Sequence, residues 1–253
     1  MHKDEIITAI HHLNRGAVGD AYAASILPCI DMVTEIPPGQ ADPFESHIGG
    51  MFVAPEGFSL PRWQDRPMNF LCQLKCSDLH PIANHLSGHL LFFAPMRDLV
   101  FDDVGEPVAI HIPKSQNLQV YTCDPDPEFE LRHASLKCHS SWSLPTPLDA
   151  LEHTAEWQQD SRDVSDAFHP IYDASVRIPQ DREQGFWHRF LGHPDYIQYK
   201  CCPDDSYMPL LALYSDDRAG LVYGDTGALY YFIRRLDFER CDFSSVVGIV
   251  QTC

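Results

Sequence analysis

The chain has 253 residues, with 36 acidic against 18 basic side chains for a formal charge of -18, and 44% of its residues are hydrophobic. That length is ample for a packed core. The acidic field repels phosphate backbones and anionic lipid and favours basic partners, which argues against nucleic-acid and membrane-surface binding.

No stretch approaches the roughly 18 consecutive apolar residues of a membrane span. The charged opening Met1-His2-Lys3-Asp4-Glu5 lacks the basic-then-apolar order of a signal peptide, so the expectation is a soluble, cytoplasmic protein. Nine cysteines are an odd number in a chain too long to need disulfide staples, which points to reduced thiols. Pairing of Cys253 between chains stays open.

Lys3 to Asn14 places Ile6, Ile7, Ile10 and Leu13 at helical spacing, with Arg15-Gly16 as the stop. Ile36 to Ser46 is a loop, because its prolines sustain neither a ladder nor a helix. A new unit starts at Ile48-Gly49-Gly50. Strands are expected at Met68 to Leu74, Gly88 to Ala94, Val108 to Ile112, Leu118 to Thr122 and Phe129 to Leu136, with a capped turn at Ser77 to His80. Pro147 to Gln158 and Arg162 to Tyr172 read as helices with an acidic outer surface, and Asp242 to Gln251 ends the chain on a strand.

The stretch from Gly220 to Phe238 is the strongest single signal. Two apolar runs, Leu221 to Tyr223 and Leu229 to Ile233, flank Gly224-Asp225-Thr226-Gly227, and this reads as a central β-hairpin. The near-continuous apolar second run places it in mid-sheet.

One internal comparison stands out. Ser87 to Ala94 followed by Asp98 lines up with Thr226 to Ile233 followed by Asp237, Met68 to Leu71 with Met208 to Leu211, and Ile48-Gly49-Gly50 with Leu191-Gly192-His193. An offset of about 140 residues with the elements in one order is the mark of a duplicated supersecondary unit. The fold class expected is α+β, mainly antiparallel β, with an N-terminal helix and a duplicated sheet unit. It is read as one domain over 1–253, with pseudo-repeats near 48–99 and 191–243 and a helical insert near 147–174.

These same elements resemble the YwqG-like family, a group of bacterial proteins named for a domain of unknown function. The likeness is carried by His188 to Gln198, Leu210-Leu211 through Ser215-Asp216, Gly224 to Ile233 and Asp242 to Cys253. In the first half it is carried by Gly49-Gly50, Leu60-Pro61, Trp63, Phe70 to Leu74 and Gly88 to Phe93. The chain departs from the family's pattern at Gln64, Ala212 and Tyr223. The resemblance implies a mainly antiparallel β fold with peripheral helices and no established activity. It also singles out Trp63, Gln73, Gly192, Gln198, Gly224, Asp225 and Gly227 as positions that would line a cleft.

No catalytic signature emerges. Asp225-Thr226-Gly227 matches the aspartic-protease tripeptide, but that mechanism needs two carboxylates and the repeat position of Asp225 is Leu86. Cys72, Cys76 and His80, with His85 and His89, have zinc-ligand types without the usual structural spacing. Cys201-Cys202 reads as two free thiols in a loop, and Asp216-Asp217 as a solvated turn. Gln73 and Gln198 must find hydrogen-bond partners, on the backbone or across a cleft shared by the two halves.

The functional expectation is a non-catalytic binding protein without a cofactor, of the immunity-protein type, in which an acidic surface captures a basic protein. The acidic stretch Asp149 to Glu183, with Asp160, Asp163 and Asp166, motivates it. The alternative is an enzyme or small-ligand binder with a cleft between the two sheet repeats.

Overall fold

The computed structural model describes residues 2–35, 42–101, 105–114, 117–123, 129, 131–176 and 187–252. Helices α1 (Lys3–His12) and α2 (Gly16–Ala24) lead into β1 (Leu27–Thr34), β2 (His47–Ile48), β3 (Met51–Pro55), β4 (Arg62–Trp63), β5 (Arg66–Pro67) and β6 (Asn69–Lys75). There follow α3 (His80–Ala83), β7 (His89–Ala94), α4 (Met96–Phe101), β8 (Val108–Ile112), β9 (Leu118–Thr122) and β10 (Ala134–Ser143). The remainder is α5 (Pro147–Leu151), α6 (Ala155–Gln159), α7 (Ser161–Val176), β11 (Trp187–Phe190), β12 (Tyr207–Tyr214), β13 (Gly227–Arg234), α8 (Arg235–Glu239) and β14 (Val247–Thr252).

The architecture is a mixed α/β fold dominated by one ten-stranded antiparallel sheet in the order β14-β13-β12-β11-β1-β10-β2-β6-β7-β8. The sheet curls until it is nearly a barrel. Its concave side is filled by Met32, Ile48, Leu74, Phe92, Phe190 and Tyr231 among others. Phe92 and Tyr231 from opposite flanks meet edge to face at 5.1 Å, and the Tyr231 hydroxyl donates to the Phe93 carbonyl at 3.1 Å. Burying each such side chain contributes on the order of 1.5–3 kcal/mol, so the interior is a packed core joining the two flanks.

The two flanks, β11 to β14 and β2-β6-β7-β8, correspond element by element. The register between β6 and β7 slips at Leu71 and that between β12 and β13 at Leu210, a separation of 139 positions (210 − 71). The same separation relates Gly88 to Gly227 and Ile112 to Gln251. A Cβ on Gly88 would lie 2.0 Å from the Ile112 carbonyl oxygen, and one on Gly227 2.5 Å from that of Gln251; neither strand can begin with a larger residue. The left-handed pairs Gly49-Gly50 and Leu191-Gly192 each send their first amide to the bulge residue, Leu71 at 2.9 Å and Leu210 at 3.0 Å. Gly49 therefore matches Leu191, one residue away from the pairing expected by matching Gly-Gly to Gly-His.

Several expectations need correction. Leu221 to Tyr223 is not a hairpin strand: β13 pairs with β12 and β14, while Leu221 makes a single bridge to Asp216. Leu221 and Tyr223 are fully buried in the turn that precedes β13, and burial in a turn leaves the same apolar trace as a strand. The first helix ends before Arg15-Gly16 as expected, at His12, but a second helix not foreseen, α2, opens at Gly16 with φ 52°. The strand expected from Phe129 starts at Ala134 and runs to Ser143. Pro147 to Gln158 divides into α5 and α6, capped by the Thr146 and Thr154 hydroxyls. The loop at 36–41, the insert at 177–186 and Cys253 lie outside the described residues.

Helices α1, α2, α5, α6 and α7 form a layer with its own core, in which Ile6 and Ile10 one turn apart join Tyr22, Leu151 and Phe168 against Trp142 and Trp187. Among the described residues no helix is long and apolar enough to cross a membrane.

Candidate functional site

The outer faces of the two flanks are covered differently, and the difference creates the site. On the first flank the ribbons β3-β9 and β4-β5 lay Phe52, Phe58 and Tyr121 over Phe70 and Phe93, with ring centroids 4.8 to 6.2 Å apart. Trp63 joins this cluster, and its buried indole N–H has no partner among the described residues. Gln73 is fully buried beneath it. Its Oε1 accepts from the Val53 amide at 2.9 Å, and its Nε2 donates to the carbonyls of Pro43 and Glu45 at 2.7 and 3.0 Å. The glutamine thus fastens the coat to β6.

On the second flank the cover is the irregular connection 191–206, whose backbone is held by side chains from the sheet. The Tyr214 hydroxyl accepts from the Asp195 amide at 2.7 Å and donates to its carbonyl at 3.0 Å. The Tyr230 hydroxyl accepts from the Ile197 amide at 3.0 Å and donates to the Asp195 carbonyl at 2.9 Å. Gln251 Oε1 accepts from the Gln198 amide at 3.1 Å, and its Nε2 donates to the Tyr199 carbonyl at 2.8 Å. A connection without a ladder is thereby satisfied group by group.

Below it lies a buried polar network. The guanidinium of Arg189, 2% exposed, donates from Nε to Asp31 at 2.7 Å and from Nη1 to the His193 carbonyl at 2.8 Å, and stacks 4.8 Å over Trp187. Burial works against its charge, but Asp31 and its other neighbours raise its pKa above the usual arginine value. Cys29, beside the pair, has its thiol pushed up to about 11, chiefly by burial, so it is no nucleophile at neutral pH. His188 and Asp216, both inaccessible, approach to 3.4 Å. Burial pushes the Asp216 carboxyl up, and the contacts with His188 and the Arg218 amide outweigh it and hold the carboxyl low. These pairs are buried and tie β11 to β1 and to the turn that follows β12.

Between the pinned connection and the helical layer opens a cleft of about 480 Å³. Asp149 and Pro145 form one wall, Tyr207 and Pro209 the other, with His193 at the junction and Lys200, Asp204 and Asp205 on the connection itself. His193 is fixed by its Nε2 contact to the Ser25 carbonyl at 2.8 Å and by its amide to Ser143 Oγ at 2.8 Å. Burial drives its pKa down to about 4, so the ring is neutral. Cys202 is raised by burial. Asp204 is held low by the hydroxyl and amide of Ser206, whereas Asp205 and Lys200 make no hydrogen bond or ion pair among the described residues.

Of the positions singled out from the sequence, Gln198, Gly224 and Gly227 gather around the end of β14. Gln198 Nε2 donates to the Thr252 carbonyl, Gly224 packs on Thr252, and Gly227 abuts Gln251 and the Tyr223 carbonyl. Asp225 is exposed in the adjoining turn. Gly192 packs on Cys29 and Ser143, and Trp63 and Gln73 belong to the other flank. Cys72 and Cys76 are buried in the core, His80 is exposed, and His85 and His89 meet the carbonyls of Phe238 and Phe44. Among the described residues no group of three or more His, Cys, Asp or Glu side chains is placed to hold a metal ion.

A family profile spans residues 46–253, which takes in both flanks, the helical insert and the cleft lining except Ser25. The chain belongs to the family described as Domain of unknown function (DUF1963). Among curated proteins no match is found. The family's span starts at β2, so α1, α2 and β1 lie before it, and β1 nevertheless supplies Asp31 and Cys29 to the network under the cleft. Sequence reading missed the cleft walls Asp149, Lys200, Asp205 and Tyr207 as a group. The available signal was the long aperiodic connection with Pro194, Pro203 and the Asp204-Asp205 pair, since long connections in compact domains carry function more often than frame.

Proposed function

We propose that this chain is a non-catalytic binding module, an acidic inhibitor of the immunity-protein type that captures a basic protein. The observation that carries the reading is the uncompensated charge. Against a formal charge of -18, with 36 acidic and 18 basic side chains, the ion pairs of lysine and arginine among the described residues include Arg15 with Asp163, Arg66 with Asp98, Lys75 with Glu45 and Arg189 with Asp31, which leaves carboxylates in excess. Exposed carboxylates outside these pairs, Asp166 and Asp205 among them, face water or the cleft, where they speed encounter with a positive surface.

The frame that presents this surface is, in the same reading, an internally duplicated sheet unit, with β2-β6-β7-β8 and β11 to β14 as its copies. The common separation of bulge, glycine and strand end supports it. Duplication supplies a rigid scaffold, and the unequal coats supply the function.

The test is affinity purification of the tagged full chain from its native lysate at low and at high salt. A basic protein retained in stoichiometric amount and released by salt is the expected result. Binding indifferent to salt, or to charge reversal at Asp166, overturns the steering mechanism. Asp166 is the residue for this purpose because Asp160 accepts the Asp163 amide at the start of α7 and Asp163 pairs with Arg15, so reversing either of those also disturbs the fold.

A further inference from the structure

We infer that the cleft between α5 and the 191–206 connection is the seat of an arginine side chain presented by the basic partner. This deepens the acidic-capture reading and rests on it. The cleft sets the carboxylates of Asp149, Asp204 and Asp205 against the single ammonium of Lys200. None of the four forms an ion pair with another among the described residues, and Asp205 accepts no hydrogen bond there, so the cleft carries a net negative charge in the free chain.

Its walls suit a planar, delocalised cation better than a compact one. The Tyr207 ring already carries a guanidinium on one face, that of Arg234 at 5.1 Å from its centroid. Tyr196, Pro145, Pro194 and Pro209 give flat apolar surface on which a guanidinium and its methylene stem rest. Asp149 is preset, because its Oδ2 accepts from the Thr146 hydroxyl at 2.8 Å. Lys200 opposes the incoming cation, and this gives the proposal its sign: removing the lysine tightens binding, whereas it weakens binding of an anion or a zwitterion.

The experiment titrates the isotope-labelled full chain with N-acetyl-arginine methylamide across the millimolar range and follows amide shifts at Lys200, Cys202 and Tyr207. N-acetyl-citrulline methylamide, the same shape without charge, is the control. Saturable shifts are expected with the arginine probe and not with citrulline. Affinity should fall about two- to five-fold for each of Asp149→Asn and Asp205→Asn and rise by a similar factor in Lys200→Ala, as single exposed charge contacts do. Asp205 is exposed, so Asp205→Asn keeps the proposal open to refutation even where Asp149→Asn disturbs α5.

Equal response to citrulline, absence of saturable shifts, or weaker binding in Lys200→Ala overturns the proposal. The two readings fail separately. A salt-released basic partner that binds Asp205→Asn and Asp149→Asn unchanged removes the cleft and leaves acidic capture standing. Saturable arginine binding with no partner in the lysate keeps the cleft and removes the capture of a protein.

Discussion

The two flanks of the sheet share strand order, bulges and the glycines that start β7 and β13, yet one wears a dry aromatic coat and the other a polar, hydrogen-bonded one. On the first flank Phe52, Phe58, Phe70 and Phe93 interlock with Tyr121, and the cover is two small ribbons with ladders of their own. On the second, hydroxyls and amides of Tyr214, Tyr230 and Gln251 hold a connection that has no ladder. At the position matching Gln73, which fastens the first coat, the second flank has Ala212, and the fastening duty has moved to side chains of β12, β13 and β14. A coat held by apolar packing closes over its strands, and one held by point contacts leaves room at its edge. The cleft lies at that edge.

The largest effects fall on what each flank buries. Phe52→Ala should cost about 3–5 kcal/mol as a cavity opens in the aromatic cluster. Arg189→Met should cost a similar amount, about 3–5 kcal/mol, because it strands Asp31 in the interior without its cation. Chemical denaturation of the two variants checks both. A loss below about 1 kcal/mol for Arg189→Met would mean that the second flank does not depend on its polar network, and the contrast between the coats would collapse.

Acid should act on both flanks in one pH window. His47 on the first and His193 on the second are buried, and burial pushes each down to about 4.

 For His47 the desolvation by burial outweighs its two carbonyl contacts, Nδ1 to Glu45 O at 2.8 Å and Nε2 to Met51 O at 2.6 Å, which favour the charged ring. The folded pKa lies below the unfolded value of about 6.5, so the unfolded chain binds more protons between those limits. Stability is therefore complete above pH 6.5, falls as pH drops towards 4, and loses up to roughly 3 kcal/mol per histidine. Melting temperature against pH should show this slope, and His193→Gln should flatten it. An unchanged slope in that variant would show that the ring at the cleft is already charged when folded.

Removing single pins from the second coat should cost less than emptying the first. Tyr214→Phe and Tyr230→Phe each delete a hydroxyl with two backbone partners while keeping the ring, for about 1–2 kcal/mol. Their clearer signature is local: amides 195 to 198 should exchange faster with solvent, while those of β3 and β9 stay protected. Equal exchange across both coats would break the comparison.

The shared frame was legible from the sequence because its markers are local. A glycine followed by an apolar run, then an Asp ten positions after the glycine, recurs at Gly88 and Gly227, and strands β6, β7, β8 and β13 read directly from their side chains. The central strand β1 escaped that reading because Pro28 and Asp31 interrupt its apolar pattern. Asp31 is tolerated at mid-sheet only through Arg189, 158 positions away. The cleft was hidden for the same reason, since the path of the connection 191–206 is set by side chains on β12, β13 and β14 and not by its own periodicity. Of the expected cleft residues, the glycines and Gln198 lie together around Thr252 because turns and strand ends must close there.

The smallest effect separates the acidic surface from the frame beneath it. Asp166 is exposed on α7 and makes no hydrogen bond or ion pair among the described residues, while Asp163 on the same helix pairs with Arg15. Asp166→Lys should change stability by less than about 0.5 kcal/mol, and Asp163→Lys by more, since it sets two cations side by side where α7 meets the start of α2. If capture of a basic partner is steered by the whole field, each reversal slows association by the same small factor at low salt, and the difference vanishes at high salt. A slowing confined to variants of the cleft would instead place recognition at the edge of the second coat, where the frame leaves its carboxylates unpaired.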